Sequence, residues 1–104
     1  DADPEREALR LLLAAWTATC GERGVTVAAL MRAAAQKEGM PLREALLGIG
    51  SDGAGRLNAL RVGNYLAERV GQVVDGLQIG DAGRDSHTKT RCYRVMTGAA
   101  SASG

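Results

Sequence analysis

Residues 58–96 read NALRVGNYLAERVGQVVDGLQIGDAGRDSHTKTRCYRVM, and the spacing of their apolar residues changes period partway along. Asn58 is a helix-capping residue, and Ala59 to Val70 keep a 3.6-residue repeat until Gly71 stops it. On that helix Ala59, Val62, Gly63, Leu66 and Val70 share the inner face, and Arg61, Asn64, Tyr65 and Glu68 lie opposite. A stretch of β-branched character from Gln72 to Ile79 then predicts a strand, with a bulge or bend at Gly76. Gly80 to Thr90, full of Gly, Asp, Ser, Thr and His, predicts a long hairpin tip. Arg91 to Met96 alternate as the returning, antiparallel strand, with Tyr93 and Val95 inward.

Three helices are predicted upstream. Asp3 and Pro4 form a cap and first-turn signal, with Glu5 and Glu7 at the positive end of the helix dipole. A helix from Pro4 to about Thr19 then aligns Leu9, Leu12, Leu13, Trp16 and Cys20 on one face, before Gly21 and Gly24 end it. Val25 to Val27 make a short β-prone turn, and Thr26 caps a second helix through Lys37 with Leu30, Met31, Ala34 and Ala35 inward. Gly39 ends that helix, and Pro41 suits the first turn of a third, whose inner stripe is Leu42, Ala45, Leu46 and Ile49. Residues 48–55 hold four glycines and read as a loop. No strand run precedes them and no GxxxxGK[ST] pattern is present, so they do not read as a phosphate cradle.

A chain of 104 residues, 45% hydrophobic and 24% charged, has enough apolar material for one modest core and too little for a doubly wound or barrel scaffold. Residues 1–97 are expected to form that domain, with a core of Leu12, Leu13, Trp16, Leu30, Leu46, Val62 and Leu66. The Gly, Ala and Ser tail 98–104 is expected to be disordered, and a start at Asp1 is what an excised piece of a longer chain would show. The net charge of +1 does not itself argue for nucleic acid. Its distribution is more informative: residues 1–50 carry −1 and residues 51–104 carry +2. Arg84, Lys89, Arg91 and Arg94 fall in one short segment with His87, where Asp85 is the sole acid.

Cys20 and Cys92 lack CxxC spacing and read as reduced, apolar thiols of a cytoplasmic protein. One His and two scattered Cys make no metal site of ordinary ligand number, and no cofactor motif is present. Without a nucleophile and carboxylate constellation, His87 reads as an exposed tip residue, so the chain is read as non-enzymatic. Charged residues or glycines interrupt every apolar run well before a membrane-spanning length.

The resulting fold class is mainly α with a β-hairpin, in the element order of a winged helix-turn-helix: three to four helices and a two- or three-stranded antiparallel wing. In that architecture the last helix before the hairpin enters the DNA major groove and the hairpin tip lies beside it. Arg61 and Asn64 then occupy the face suited to paired hydrogen bonds with guanine and adenine edges, with Tyr65 at its border. Arg56, Arg69, Arg84, Lys89 and Arg91, with Ser86, His87 and Thr88 at the tip, are candidates for phosphate contact on either side.

Residues 57–95 also resemble the small winged-helix domain at the C-terminal end of phage- and plasmid-type primase/helicase ATPases and related mobile-element replication proteins. In that family an LGxxL element, a basic residue, GxxVxGLxL and a closing YRV recur. Here these positions hold Val62, Gly63, Asn64, Tyr65 and Leu66, then Arg69 and Gly71, then Val74, Gly76, Leu77 and Ile79, and finally Tyr93, Arg94 and Val95. Val62 stands where Leu is more usual, the basic wing residues match only loosely, and the first 50 residues add no family motif. The resemblance implies a DNA-binding module, acting on duplex or forked DNA as part of a larger replication or mobile-element protein. The competing expectation is a winged helix that packs on a partner ATPase through Leu57, Tyr65 and an apolar rim, its arginines merely solvated. A free-standing dimeric repressor ranks lower, because no heptad run supplies a dimer seam.

Overall fold

The computed structural model describes residues 3–97, so the expected tail at 98–104 lies outside the described residues. Helix α1 spans Pro4–Cys20; Asp3 caps it by accepting the Glu5 backbone N–H at 3.0 Å, and Leu9, Leu12, Leu13, Trp16 and Cys20 form its buried stripe. Strand β1, Val25–Thr26, leads directly into α2, Val27–Ala35, whose Ala29 N–H donates to the Thr26 hydroxyl at 3.1 Å. A short 3-10 turn, Lys37–Gly39, carries the chain into α3, Met40–Gly50. Helix α4, Ala59–Glu68, starts at Asn58, whose carboxamide oxygen accepts the Arg61 N–H at 3.0 Å. Strands β2, Leu77–Arg84, and β3, Arg91–Thr97, complete the element order.

The described residues form four α helices and a three-stranded antiparallel sheet in the order β1-β3-β2. Its core is continuous. Leu12, Leu13, Trp16, Leu30, Leu46, Val62 and Leu66, all expected inside, are at most 1% exposed and join Ile79, Tyr93 and Val95 from the sheet. Burying each such aliphatic side chain contributes about 1.5–3 kcal/mol, so packing between helices and sheet, more than helix propensity, holds α4 in place. Gly50 marks how close that packing is: a Cβ there would lie 2.6 Å from Val62 Cγ2 and 3.2 Å from the Val62 backbone nitrogen.

Several boundaries depart from the sequence reading. The predicted strand over 72–79 begins at Leu77 instead, because Asp75 and Gly76 form a tight turn with φ of 53° and 78°. Val74 and Leu77 exchange backbone hydrogen bonds of 2.8 and 3.0 Å across it. Positive φ at both central positions is the Asp-Gly hairpin geometry, so of the expected bulge or bend at Gly76 it is the bend that is present, ahead of the strand. The irregularity in the ladder falls between Asp81 and Arg84, at Gly83 with φ 87°. Strand β2 therefore runs on to Arg84, and the tip shortens from the predicted 80–90 to 85–90.

Helix α2 stops at Ala35 before the 3-10 turn, α3 extends through Gly48 to Gly50 where a loop was expected, and α4 ends at Glu68. Three side chains assigned inward, Ala35, Ala59 and Val70, are exposed, and Cys92 is half-buried. No helix among the described residues is long and apolar enough to cross a membrane.

Candidate nucleic-acid interface

With Val62 and Leu66 turned into the core, helical geometry leaves Leu60, Arg61, Asn64, Ala67 and Glu68 on the solvent side of α4, and all five are exposed. Arg61 and Asn64 thus lie where the sequence placed them, neighbours at i and i+3 on the exposed face. Leu60, 72% exposed, stands between them and the adjoining turn.

Tyr65 and Arg69 do not belong to that face. Tyr65, expected at the border of the inner face, is half-buried and packs against the core, because its position on the helix borders the groove toward α1 and α3. It lines a hollow of about 350 Å³ with Pro4, Glu5, Ala8, Gly48, Ile49 and Arg69. The Arg69 guanidinium lies over the tyrosine ring, 4.0 Å from its centroid, and pairs with Glu68 at 3.3 Å and Glu5 at 3.9 Å. Burial pushes the Tyr65 phenol above its ordinary pKa, against the opposing pull of Arg69. Arg69 is therefore balanced by two carboxylates and aimed at the first turn of α1.

The connection between α3 and α4 is organised by Asp52. Its carboxylate accepts the backbone N–H groups of Ala54 at 2.8 Å and Arg56 at 3.2 Å, and these amides hold its pKa below the usual carboxylate range. The Arg56 side chain extends into solvent 4.0 Å from the same carboxylate. A glycine-rich loop that could have offered amides to a phosphate has its own anion in place.

The tip at 85–90 is closed in a similar way. Asp85 accepts the backbone N–H of Thr88 at 2.8 Å and of His87 at 3.0 Å, together with the Thr88 hydroxyl at 3.1 Å. The Thr88 amide, ahead of the His87 amide, holds the Asp85 carboxyl below its ordinary range despite partial desolvation. Backbone bonds from Asp85 N–H to Thr90 C=O at 2.8 Å and from Lys89 N–H to Asp85 C=O at 2.9 Å lock the turn, and Arg84 Nη1 donates to the Lys89 carbonyl at 3.0 Å. Ser86, His87, Thr88 and Lys89 are exposed, and Lys89 takes a φ of 60°. Asp85 keeps its negative charge while its oxygen is engaged, so Arg84 and Lys89 against Asp85 leave residues 84–90 at +1.

Arg91 differs from its neighbours. It makes a two-point contact with Asp81, 2.9 and 3.2 Å to the same oxygen, and sits 5.3 Å over the Tyr93 ring, so its charge is balanced along the hairpin stem. Asp81 is held low first by the Gly83 backbone N–H and then by Arg91. The candidate residues therefore divide into three groups: Arg61 and Asn64 on α4, Arg84 with residues 86–89 at the tip, and the paired Arg56, Arg69 and Arg91.

Sequence reasoning missed two contributors. Arg32 borders a cleft of about 180 Å³ with Thr26, Ala28, Asp85, Thr88 and Thr90, an arrangement that depends on Thr26 pairing with Cys92. That long-range pairing has no local signal. Arg94, exposed on the outer face of β3, was visible in the alternation of the strand but was left out of the candidate set. Among the described residues no three His, Cys, Asp or Glu side chains cluster as a metal site requires. No protein-family model, curated protein or solved structure matches the chain.

Proposed function

We propose that this chain is a non-enzymatic winged-helix module that binds duplex or forked DNA, with the exposed face of α4 in the major groove and the 85–90 tip on phosphates. The observation that carries this reading is the tip. Its only acid, Asp85, is turned inward on internal hydrogen bonds that fix the backbone in advance, while Arg84 and Lys89 are exposed and keep residues 84–90 at a net +1. A fixed turn with a net positive charge suits a polyphosphate backbone, because little ordering entropy remains to be lost on contact. Helix α4 adds Arg61 and Asn64, two side chains able to make paired hydrogen bonds to base edges. The order of helices, strand β1 and hairpin fits the winged-helix layout, and the resemblance of residues 57–95 to replication and mobile-element proteins supports a place in a larger assembly. Two free cysteines fit a reducing cytoplasm.

Titrating the chain with labelled duplex, forked and single-stranded DNA at two salt concentrations tests the proposal. Salt-sensitive binding with duplex or fork preferred is the expected result, and equal or absent binding to all three contradicts it. One observation favours the protein-contact reading as second choice. A groove of about 450 Å³ between α1 and α3, lined by Leu11, Ala14, Ala15, Pro41, Glu44 and Ala45, leaves Leu11 48% exposed, with Met40 at the start of α3 53% exposed. Leu57 and Tyr65, the residues expected to make such a contact, are partly exposed and pack against the core.

A further inference from the structure

The most exposed of the large apolar side chains among the described residues is Leu60, the second residue of α4. It contributes nothing to the core, whereas Leu66, on the same short helix, is fully buried. One turn further on, at i+4, stands Asn64, also exposed, and at i+7 the small, exposed Ala67 continues the same line. An aliphatic group in the first turn of α4 and a carboxamide at its middle thus project together from one exposed face. Glu68, paired with Arg69, closes the other end of that face at the last residue of the helix. In a helix that docks in the major groove, the N-terminal residues are those that reach base edges.

This inference rests on the DNA-binding reading and makes it specific. We propose that Leu60 and Asn64 together read an A·T step in the major groove, the Leu60 isobutyl group lying against the thymine C5-methyl and the Asn64 carboxamide bonding adenine N6 and N7. An A·T pair presents both features in this groove, an acceptor and donor on adenine and a methyl on thymine, and a G·C pair presents neither combination. Arg61, the next residue, falls beside this line and serves an adjoining guanine or phosphate. The exposed position of Leu60 thereby has a role: its apolar surface is desolvated only when thymine is present. A basic tip alone would attract all sequences alike, so the Leu60 and Asn64 pair is the source of discrimination.

Replacing thymine by deoxyuridine removes the methyl and leaves every hydrogen-bonding atom in place, which isolates the Leu60 contact. Duplexes are selected from a randomised pool with the wild-type chain, and the selected duplex is titrated with each thymine exchanged in turn for deoxyuridine. The wild-type chain is expected to select an A·T step and to lose about fourfold in affinity at one thymine, the factor that corresponds to ~0.8 kcal/mol for one methyl-sized apolar group. Leu60→Ala should bind the two forms equally, and Asn64→Ala should lose on the order of tenfold on the selected site. Both positions are exposed, so the variants should melt like wild type, and melting curves check this. Equal wild-type affinity for thymine and deoxyuridine at every position, or salt-sensitive binding with no selected sequence, overturns the base-reading inference and leaves the DNA-binding module standing. Absence of DNA binding by the wild-type chain overturns both. Loss of affinity in Leu60→Ala with thymine discrimination intact assigns the leucine to some other contact and also overturns the inference.

Discussion

The turns at 51–57 and 85–90 are closed by the same device yet present different surfaces. In each, an aspartate carboxylate accepts two backbone N–H groups, and amide donors hold its pKa low. In the first turn Arg56 lies 4.0 Å from the same carboxylate that shapes the loop, Arg61 adds its charge from α4, and Gly53 and Gly55 supply the positive φ angles. In the second the carboxylate also takes the Thr88 hydroxyl, no base pairs with it, and a lysine adopts the positive φ. Local hydrogen bonding therefore fixes the shape of a loop, and the residues at its unconstrained positions determine what the loop can attract. The first turn is a connector that sets α4 against α3, whereas the second displays charge.

Both turns depend on the shared core, and removing part of it should produce the largest effect. Truncating the fully buried Leu66 to Ala should cost about 2–5 kcal/mol, read as a shift in the denaturant midpoint, because a cavity would open beneath α4. A cost below roughly 0.5 kcal/mol would mean that α4 does not rest on this core.

Lys89 sharpens the comparison. A non-glycine residue in the left-handed region costs about 1–2 kcal/mol, so Lys89→Gly should leave stability unchanged or raise it by up to about 1 kcal/mol once the greater freedom of glycine in the unfolded chain is counted. DNA affinity should fall in the same variant. Denaturant melts and DNA titration of one preparation read both quantities, and a variant that loses stability while keeping its affinity breaks the account of the tip.

The smallest effect concerns pH. The folded-state pKa of Asp85 lies below its unfolded value, so the order it confers is complete above the ordinary aspartate range and disappears as pH falls through the depressed pKa. Asp52 carries the same sign. The protection factors of the His87 and Thr88 backbone amides, and of those of Ala54 and Arg56, should therefore fall together in acid and stay constant through neutrality. A tip that loosens near the ordinary histidine pKa would contradict the role given to Asp85.

The core was legible because it is periodic: Leu9, Leu12, Leu13 and Trp16 in α1, and Val62 and Leu66 in α4, repeat at helical spacing and all are buried. Caps at Asp3, Thr26 and Asn58 were legible for the same local reason. The hairpin boundary was misread although its signal was present, since Asp75-Gly76 is a two-residue turn motif that the surrounding β-branched run obscured. The site was legible in part. Arg61, Asn64 and the tip residues follow from helical phase and local charge, but the neutralisation of Arg69 by Glu5 and of Arg91 by Asp81 depends on contacts across 64 and 10 residues of chain, which no local pattern encodes. Arg32 reaches the tip only through the pairing of β1 with β3.

The central claim is that Arg84 and Lys89 at the tip engage phosphates while the paired bases do not, and the salt dependence of binding to a random-sequence duplex tests it most directly. For the wild-type chain the logarithm of affinity should fall linearly with the logarithm of salt concentration. Lys89→Gln should reduce that slope by about one contact, and Arg56→Gln, beside Asp52, should change it by less. No salt-dependent binding at low ionic strength, where phosphate attraction is strongest, or slopes unaffected by Lys89→Gln, would contradict the account.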